Sequence, residues 1–184
     1  YGVNLPTGPT IKREFPEIKT FARMVDFKEV VFNYNNLNYT QEKVFFVDSS
    51  FFQIFTIPCL KGNIQSALKS PNSAVITKST ALKYFGQTDP IGKFLKHGST
   101  VLYQVLAVVD DVPENSHIQF QVLLSFNSNE NWLHKYNDTS WSYFFAYTYL
   151  LVEKGTDLAQ LSDKMDKLIN THKQINAHLN HKPR

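Results

Sequence analysis

The chain has 184 residues, 42% hydrophobic and 14% aromatic, and its 19 Lys plus Arg against 16 Asp plus Glu leave a formal charge of +3. That size fits one globular domain or two intimately packed subdomains, and it buries about 70% of the unfolded chain's surface without disulfides or metal. Fifteen Phe, nine Tyr and two Trp exclude a disordered tail; the scattered charges argue against dedicated nucleic-acid binding, and no apolar run approaches the roughly 20 residues of a bilayer helix.

In chain order, Thr10 to Phe15 reads as a short helix opened at Thr10 and stopped by Pro16. Phe21, Val25 and Phe27, then Val30, Phe32 and Tyr34, predict two strands forming a hairpin ahead of the turn Asn35-Asn36-Leu37-Asn38. Val44 to Val47 is a further strand, and Ser50 with Gln53 makes a capping box for a short aromatic helix, Phe51 to Phe55, ended before Pro58. Cys59, lone and in an apolar setting, reads as a small core residue. Gly62-Asn63 punctuates the chain, and Ala67-Leu68 sits in a brief helical turn.

Ala74 to Ile76 is a short strand, Thr77 an N-cap, Ala81, Leu82 and Phe85 a helical stripe, and Gly86 its terminating glycine. After the turn Asp89-Pro90-Ile91-Gly92, Val101 to Val109 is apolar on both faces and reads as a central strand. Asp110 to His117 is a polar turn around Pro113, and Ile118 to Phe126 alternates as a half-buried strand. A short helix is expected around Trp132-Leu133, a strand over Tyr143 to Val152, and a helix capped by Asp157 with Leu158, Leu161, Met165, Leu168 and His172 on one stripe. From residue 176 the polar run to 184 reads as a frayed tail, leaving 1–175 as the domain. Interspersed strands and helices with hairpin-length turns point to an α+β fold, a mixed sheet with short helices packed on it.

No segment carries a strong catalytic signature. Gly86 to Lys93 imitates a phosphate loop but has five residues between its glycines and Phe94 where Ser or Thr belongs. Asp110, Asp111, Glu114 and His117 crowd one loop, the composition of an acid–base or metal site and equally of a solvated turn. His172, His178 and His181 do not share one helical face, Cys59 has no base beside it in sequence, and the glycosylation patterns Asn38-Tyr39-Thr40 and Asn137-Asp138-Thr139 are short enough to arise by chance. Phe45, Phe46, Phe51, Phe52 and Phe55 read as core, with a partner-binding patch as the other reading.

An ordered set of segments resembles the MacB-type periplasmic core domain of FtsX-like ABC transporter permeases. It comprises Pro16-Glu17-Ile18 with Arg23, Val47 to Phe55, Leu60-Lys61-Gly62-Asn63 with Ala67-Leu68, Asn72 to Thr77, Ala81 to Gly86, Asp89-Pro90-Ile91-Gly92-Lys93, Val105 to Val109, Asp111 to His117, Trp141 and Thr148 to Leu151. Each element is common alone; the ordered set, spanning residues 16 to about 152, is specific. A strand that usually precedes the Pro-Glu-Ile region has no obvious copy here, and the Asn-, Lys-, Phe- and Tyr-rich style resembles the Bacteroidetes branch.

The resemblance implies an extracytoplasmic, periplasmic domain between the first two membrane helices of an inner-membrane permease. ATP is then hydrolysed in the cytoplasm and the movement is transmitted outward, for export or for action on a lipid, peptide or lipoprotein. Abrupt ends are what such an excised loop should show. The signature residues take structural jobs: Phe51, Phe52 and Phe55 anchor a helix, Gly86 ends one, Asp89, Pro90 and Gly92 form a turn, and Pro113, Asn115, Ser116 and His117 fix a corner between strands. No catalytic, metal or cofactor residue is implied. Expected partners are the remaining permease, its ATPase indirectly, and a periplasmic adaptor or lipoprotein, with the isolated domain monomeric. The competing reading is a free-standing ligand-binding or adhesin-like module.

Overall fold

The computed structural model describes residues 3–128, 141 and 146–180, with the backbone alone for 173–180. The expected helix around Trp132-Leu133 and the sequon at Asn137 lie outside the described residues, as do the first three residues of the strand expected over Tyr143 to Val152. The elements run α1 (Thr7–Glu14), β1 (Ile18–Tyr34), β2 (Leu37–Val47), α2 (Phe51–Ile54), β3 (Cys59–Gly62), α3 (Ile64–Ala67), β4 (Ser73–Thr77), α4 (Lys78–Phe85), β5 (Phe94–His97), β6 (Val101–Val109), β7 (Val122–Ser125), β8 (Ala146–Val152) and α5 (Leu158–Asn180).

The eight strands form one mixed sheet. Its path is β2-β7-β4-β6-β5-β1-β8, with β3 on β6. The additional β1–β2 pairing closes six of these strands into a ring. The β2–β7 and β4–β6 pairs are parallel and the others antiparallel.

Bulges bend the strands enough for the ring to close. In β1 the register shifts on either side of Lys28, which takes φ 62°. Apolar parity therefore flips between Phe27 and Val30, and the predicted two-strand hairpin is one 17-residue strand that turns only at Asn35-Asn36. In β6 the shift falls between Val105 and Ala107. Leu106 and Ala107 then both face the smaller cluster, while Val105 and Val108 face the larger.

Alternation divides the apolar residues between two faces. Val25, Phe32, Val44, Phe46, Ala74, Ile76, Leu95, Tyr103, Val122 and Leu124 belong to the larger cluster, joined by Tyr84 and Phe85 from α4. Met24, Val47, Val75, Ala107, Val109 and Leu123 belong to the second, covered by Phe51 of α2 and by Ala67 and Leu68 at α3. A third, smaller cluster joins Ile11 of α1 and Ile18 of β1 to Leu161, Met165, Leu168 and Ile169 of α5.

Local signals largely hold. Thr77 Oγ1 accepts the Thr80 amide at the start of α4, Asp157 Oδ1 accepts the Gln160 amide before α5, and β6 lies inside the sheet as expected. Others are corrected. α1 starts three residues before Thr10, with Pro9 in its first turn, where a missing amide hydrogen costs nothing. Ser50 has helical φ and ψ and makes no capping bond; its hydroxyl donates to the Phe21 carbonyl instead. Cys59 is exposed, because β3 lies at the margin of the sheet and buries none of its four residues. β7 is only Val122–Ser125 and buried on both faces, so the half-buried strand from Ile118 to Phe126 shrinks to its centre. Leu158 is 64% exposed, outside the stripe that Leu161, Met165 and Leu168 do form. The helix itself runs past residue 176 to Asn180.

Candidate functional site

The signature residues separate into two groups. Phe51, Phe55, Pro113, Asn115, Ser116 and His117 line one cavity of about 230 Å³, between α2 and the loop that follows β6. Gly86 and Pro90 line another, of about 340 Å³, between α4 and β3.

At the first cavity, α2 is short and owes its position to its neighbours. Asp48 accepts from Arg23 N (2.7 Å), Nε (2.9 Å) and Nη2 (2.8 Å), and its carbonyl accepts the Phe51 amide that opens the helix. Phe51 is fully buried and touches Phe52, Phe55 and Phe120 at ring-centroid distances of 5.2, 4.8 and 6.1 Å. Phe55 meets Tyr149 of β8 edge-on at 4.9 Å. Edge-to-face pairs set positive ring edges against negative faces, which adds orientation to burial.

The opposite wall is the corner from Asp110 to His117. The Ser116 amide donates to the Pro113 carbonyl, and Gln119 Nε2 spans the corner, donating to the carbonyls of Pro113 (2.7 Å) and Ser116 (3.1 Å). His117 lies 5.9 Å from the Tyr149 ring.

Asp110, Asp111, Glu114 and His117 do not converge. Asp111 turns to α4, accepting the amide and hydroxyl of Ser79. Burial works to raise its pKa, but those two bonds, Thr77 and the nearby Lys78 outweigh it and hold the carboxyl below the ordinary range. Asp110 takes the Asp111 amide, Glu114 faces solvent, and His117 faces β8. Of the C-terminal histidines, His172 stacks on Trp141 at 4.5 Å and 3°; His178 and His181 lie outside the described side chains. No group of three metal-ligating side chains occurs among the described residues.

In the second group, Gly86 ends α4 at φ 57°. The Asp89 carboxylate accepts the Ile91 amide and pairs with Lys61 at 3.4 Å. Gly92, at φ 80°, bonds to Val105 O and ties the turn to β6. The loop that imitated a phosphate cradle is a helix end and a turn.

A third cavity, of about 430 Å³, shares His117 and Ile118 with the first and continues over Met24, Asp26, Phe45, Gln119, Tyr147 and Tyr149. Pairing explains its make-up. Met24 lies opposite Tyr147, Ala22 opposite Tyr149 and Asp26 opposite Phe45, so β1, β2 and β8 offer one continuous face. Burial raises the Tyr149 phenol pKa, helped by Tyr147. Sequence reasoning missed Asp26, Gln119, Tyr147 and Tyr149, whose only signal is strand alternation.

The family described as MacB-like periplasmic core domain matches residues 2–168. Among solved structures, a domain of a proposed permease protein from Porphyromonas gingivalis superimposes with a TM-score of 0.79 at 21% identity, over 93% of this chain and 78% of that one. The periplasmic region of MacB from Actinobacillus actinomycetemcomitans gives 0.69 at 12%, over 99% and 85%. The extracellular domain of the noncanonic ABC-type transporter YknZ from Gram-positive bacteria gives 0.67 at 15%, over 94% and 85%. A search of curated proteins finds no match. No helix among the described residues is long and apolar enough to cross a membrane. With its mixed sheet, aromatic helix and proline corner in place, the chain belongs to the MacB-like periplasmic core domain family of ABC transporter permeases.

Proposed function

We propose that this domain is the outer, force-receiving part of a permease, coupling ATP hydrolysis in the cytoplasm to export or to action on a periplasmic lipid, peptide or lipoprotein. It performs no catalysis of its own. The observation that carries this reading is the packing of the first helix and strand against the last helix. α1 and α5 share the cluster of Ile11, Ile18 and Leu161, Glu153 N bonds to Glu17 O at 2.8 Å, and Lys164 pairs with Glu17 at 3.3 Å. A domain inserted between two membrane helices needs both of its connections on the side facing the membrane, and the packing of α1 against α5 supports that reading. The remaining permease and its ATPase are then the necessary partners, with an adaptor or lipoprotein at the outer end.

Cys59 gives the test, being the single cysteine of the sequence and exposed. In the parent permease, otherwise free of cysteine and assembled with its ATPase, a fluorophore on Cys59 should change signal on ATP addition, and an ATPase unable to hydrolyse should abolish the cycle. A parent reading frame without flanking hydrophobic helices, or a signal indifferent to ATP, overturns the reading.

A further inference from the structure

We propose that two adjacent cavities bind a small amphiphilic amine, its ammonium group at Asp26 and its apolar tail against α2. The inference stands on this face of the sheet alone and holds whether or not the domain receives force from an ATPase.

The chemistry is one-sided. Asp26 supplies the one formal charge among the residues lining either cavity, and neither lining includes Lys or Arg. One carboxylate oxygen, Oδ1, accepts the Lys28 amide at 2.7 Å; the other has no donor among the described residues. Gln119 adds a second acceptor, because its amide hydrogens go to the carbonyls of Pro113 and Ser116 and leave only its oxygen to offer. The aromatic side chains of Phe45, Tyr147 and Tyr149 complete the compartment. A carboxylate beside ring faces selects an organic cation, since the ring quadrupole attracts positive charge and repels negative.

The neighbouring compartment is apolar. Phe51, Phe55, Ile57, Val112 and Phe120 line it, and it shares His117 and Ile118 with the first. The first, at about 430 Å³, lies in the range of small-ligand pockets, and the second adds about 230 Å³ of apolar space beside it. The cavity between α4 and β3 makes the contrast, for there Lys61 and Lys78 flank Leu60 and Leu82, the wrong charge for an amine.

Calorimetric titration of the 184-residue chain with n-octylammonium, with octanoate and 1-octanol as matched anionic and neutral probes, tests the proposal. Octylammonium should bind at least tenfold more tightly than either. Asp26→Asn keeps an acceptor for the Lys28 amide, so it should melt like the parent and yet lose at least tenfold in octylammonium affinity. Tyr147→Ala, at an exposed position, should lose several-fold. In a methyl and aromatic NMR titration, shifts should gather at Met24, Phe45, Tyr147, Tyr149 and Phe55, an observation independent of any variant. Equal binding of octanoate or octanol, unchanged affinity in Asp26→Asn, shifts elsewhere, or no binding at millimolar probe each overturn it. So does binding of a lysine-bearing peptide while octylammonium stays unbound, which would make the face a peptide-docking surface.

Discussion

Arg23 grips Asp48 with three hydrogen bonds, one from its backbone and two from its guanidinium, while that guanidinium lies 3.9 Å from the centroid of the Phe126 ring. The pair is nearly sealed, with side chains 7% and 16% exposed. It joins β1 to the loop that starts α2, and Arg23 Nη1 also donates to the Leu5 carbonyl at 3.3 Å. Breaking a buried pair leaves a desolvated charge without compensation. Asp48→Ala should therefore cost about 3–5 kcal/mol, measured by urea denaturation. Arg23→Lys should rescue little of the loss in Arg23→Ala, since an ammonium offers neither the fork nor the flat face for Phe126.

Asp111 ties the corner after β6 to the first turn of α4. Its pKa is depressed in the folded state, so the stability it contributes is present above the ordinary carboxylate pKa and lost as pH falls through the lower folded value. Asp111→Asn should destabilise the fold at neutral pH by up to about 1 kcal/mol on the scale of helix caps, read as a lower melting temperature. The melting curves of parent and variant should begin to draw together as pH falls below about 4 and meet below the depressed folded pKa.

Two glycines with positive φ should respond differently to the same change. At Gly62 an added Cβ would stand 2.1 Å from the Leu106 carbonyl oxygen, part of the β6 backbone at its bulge; at Gly86 nothing lies within 4 Å. Gly62→Ala is expected to cost more than about 2 kcal/mol, as rigid backbone must move. Gly86→Ala should cost less, about 1–2 kcal/mol, for its positive φ alone. Denaturant midpoints of the two variants decide it.

Phe51→Ala should cost about 3–5 kcal/mol and loosen the cavity floor, because Phe55 and Phe120 lose the ring they pack on. Leu82→Ala, at 60% exposure, should stay within about 0.5 kcal/mol.

Sequence patterning revealed most where the physics is local. Thr77 and Asp157 cap helices through amides three residues away, a distance any window of sequence contains. Cys59 to Gly62 became a strand only by pairing with Val109, Val108 and Ala107, and nothing in its own alternation says so. The 17 residues of β1 looked like two strands because a bulge at Lys28 inverts their parity. The candidate site was half visible: Phe51, Phe55 and the proline corner are contiguous motifs, whereas Asp26 and Tyr147 share a cavity across a gap that only the β1–β8 pairing closes.

β1 begins at Ile18, inside the cluster shared by the chain's two ends, and finishes at the Asn35-Asn36 turn at the opposite end of the ring. Seventeen residues of strand make a contour of roughly 56 Å at about 3.3 Å each, interrupted by bulges but by no loop. Held on its flanks by β2, β5 and β8, it forms one continuous hydrogen-bonded connection, so neither of its ends can slide along the strand axis without shearing the ladders that β1 shares with its neighbours.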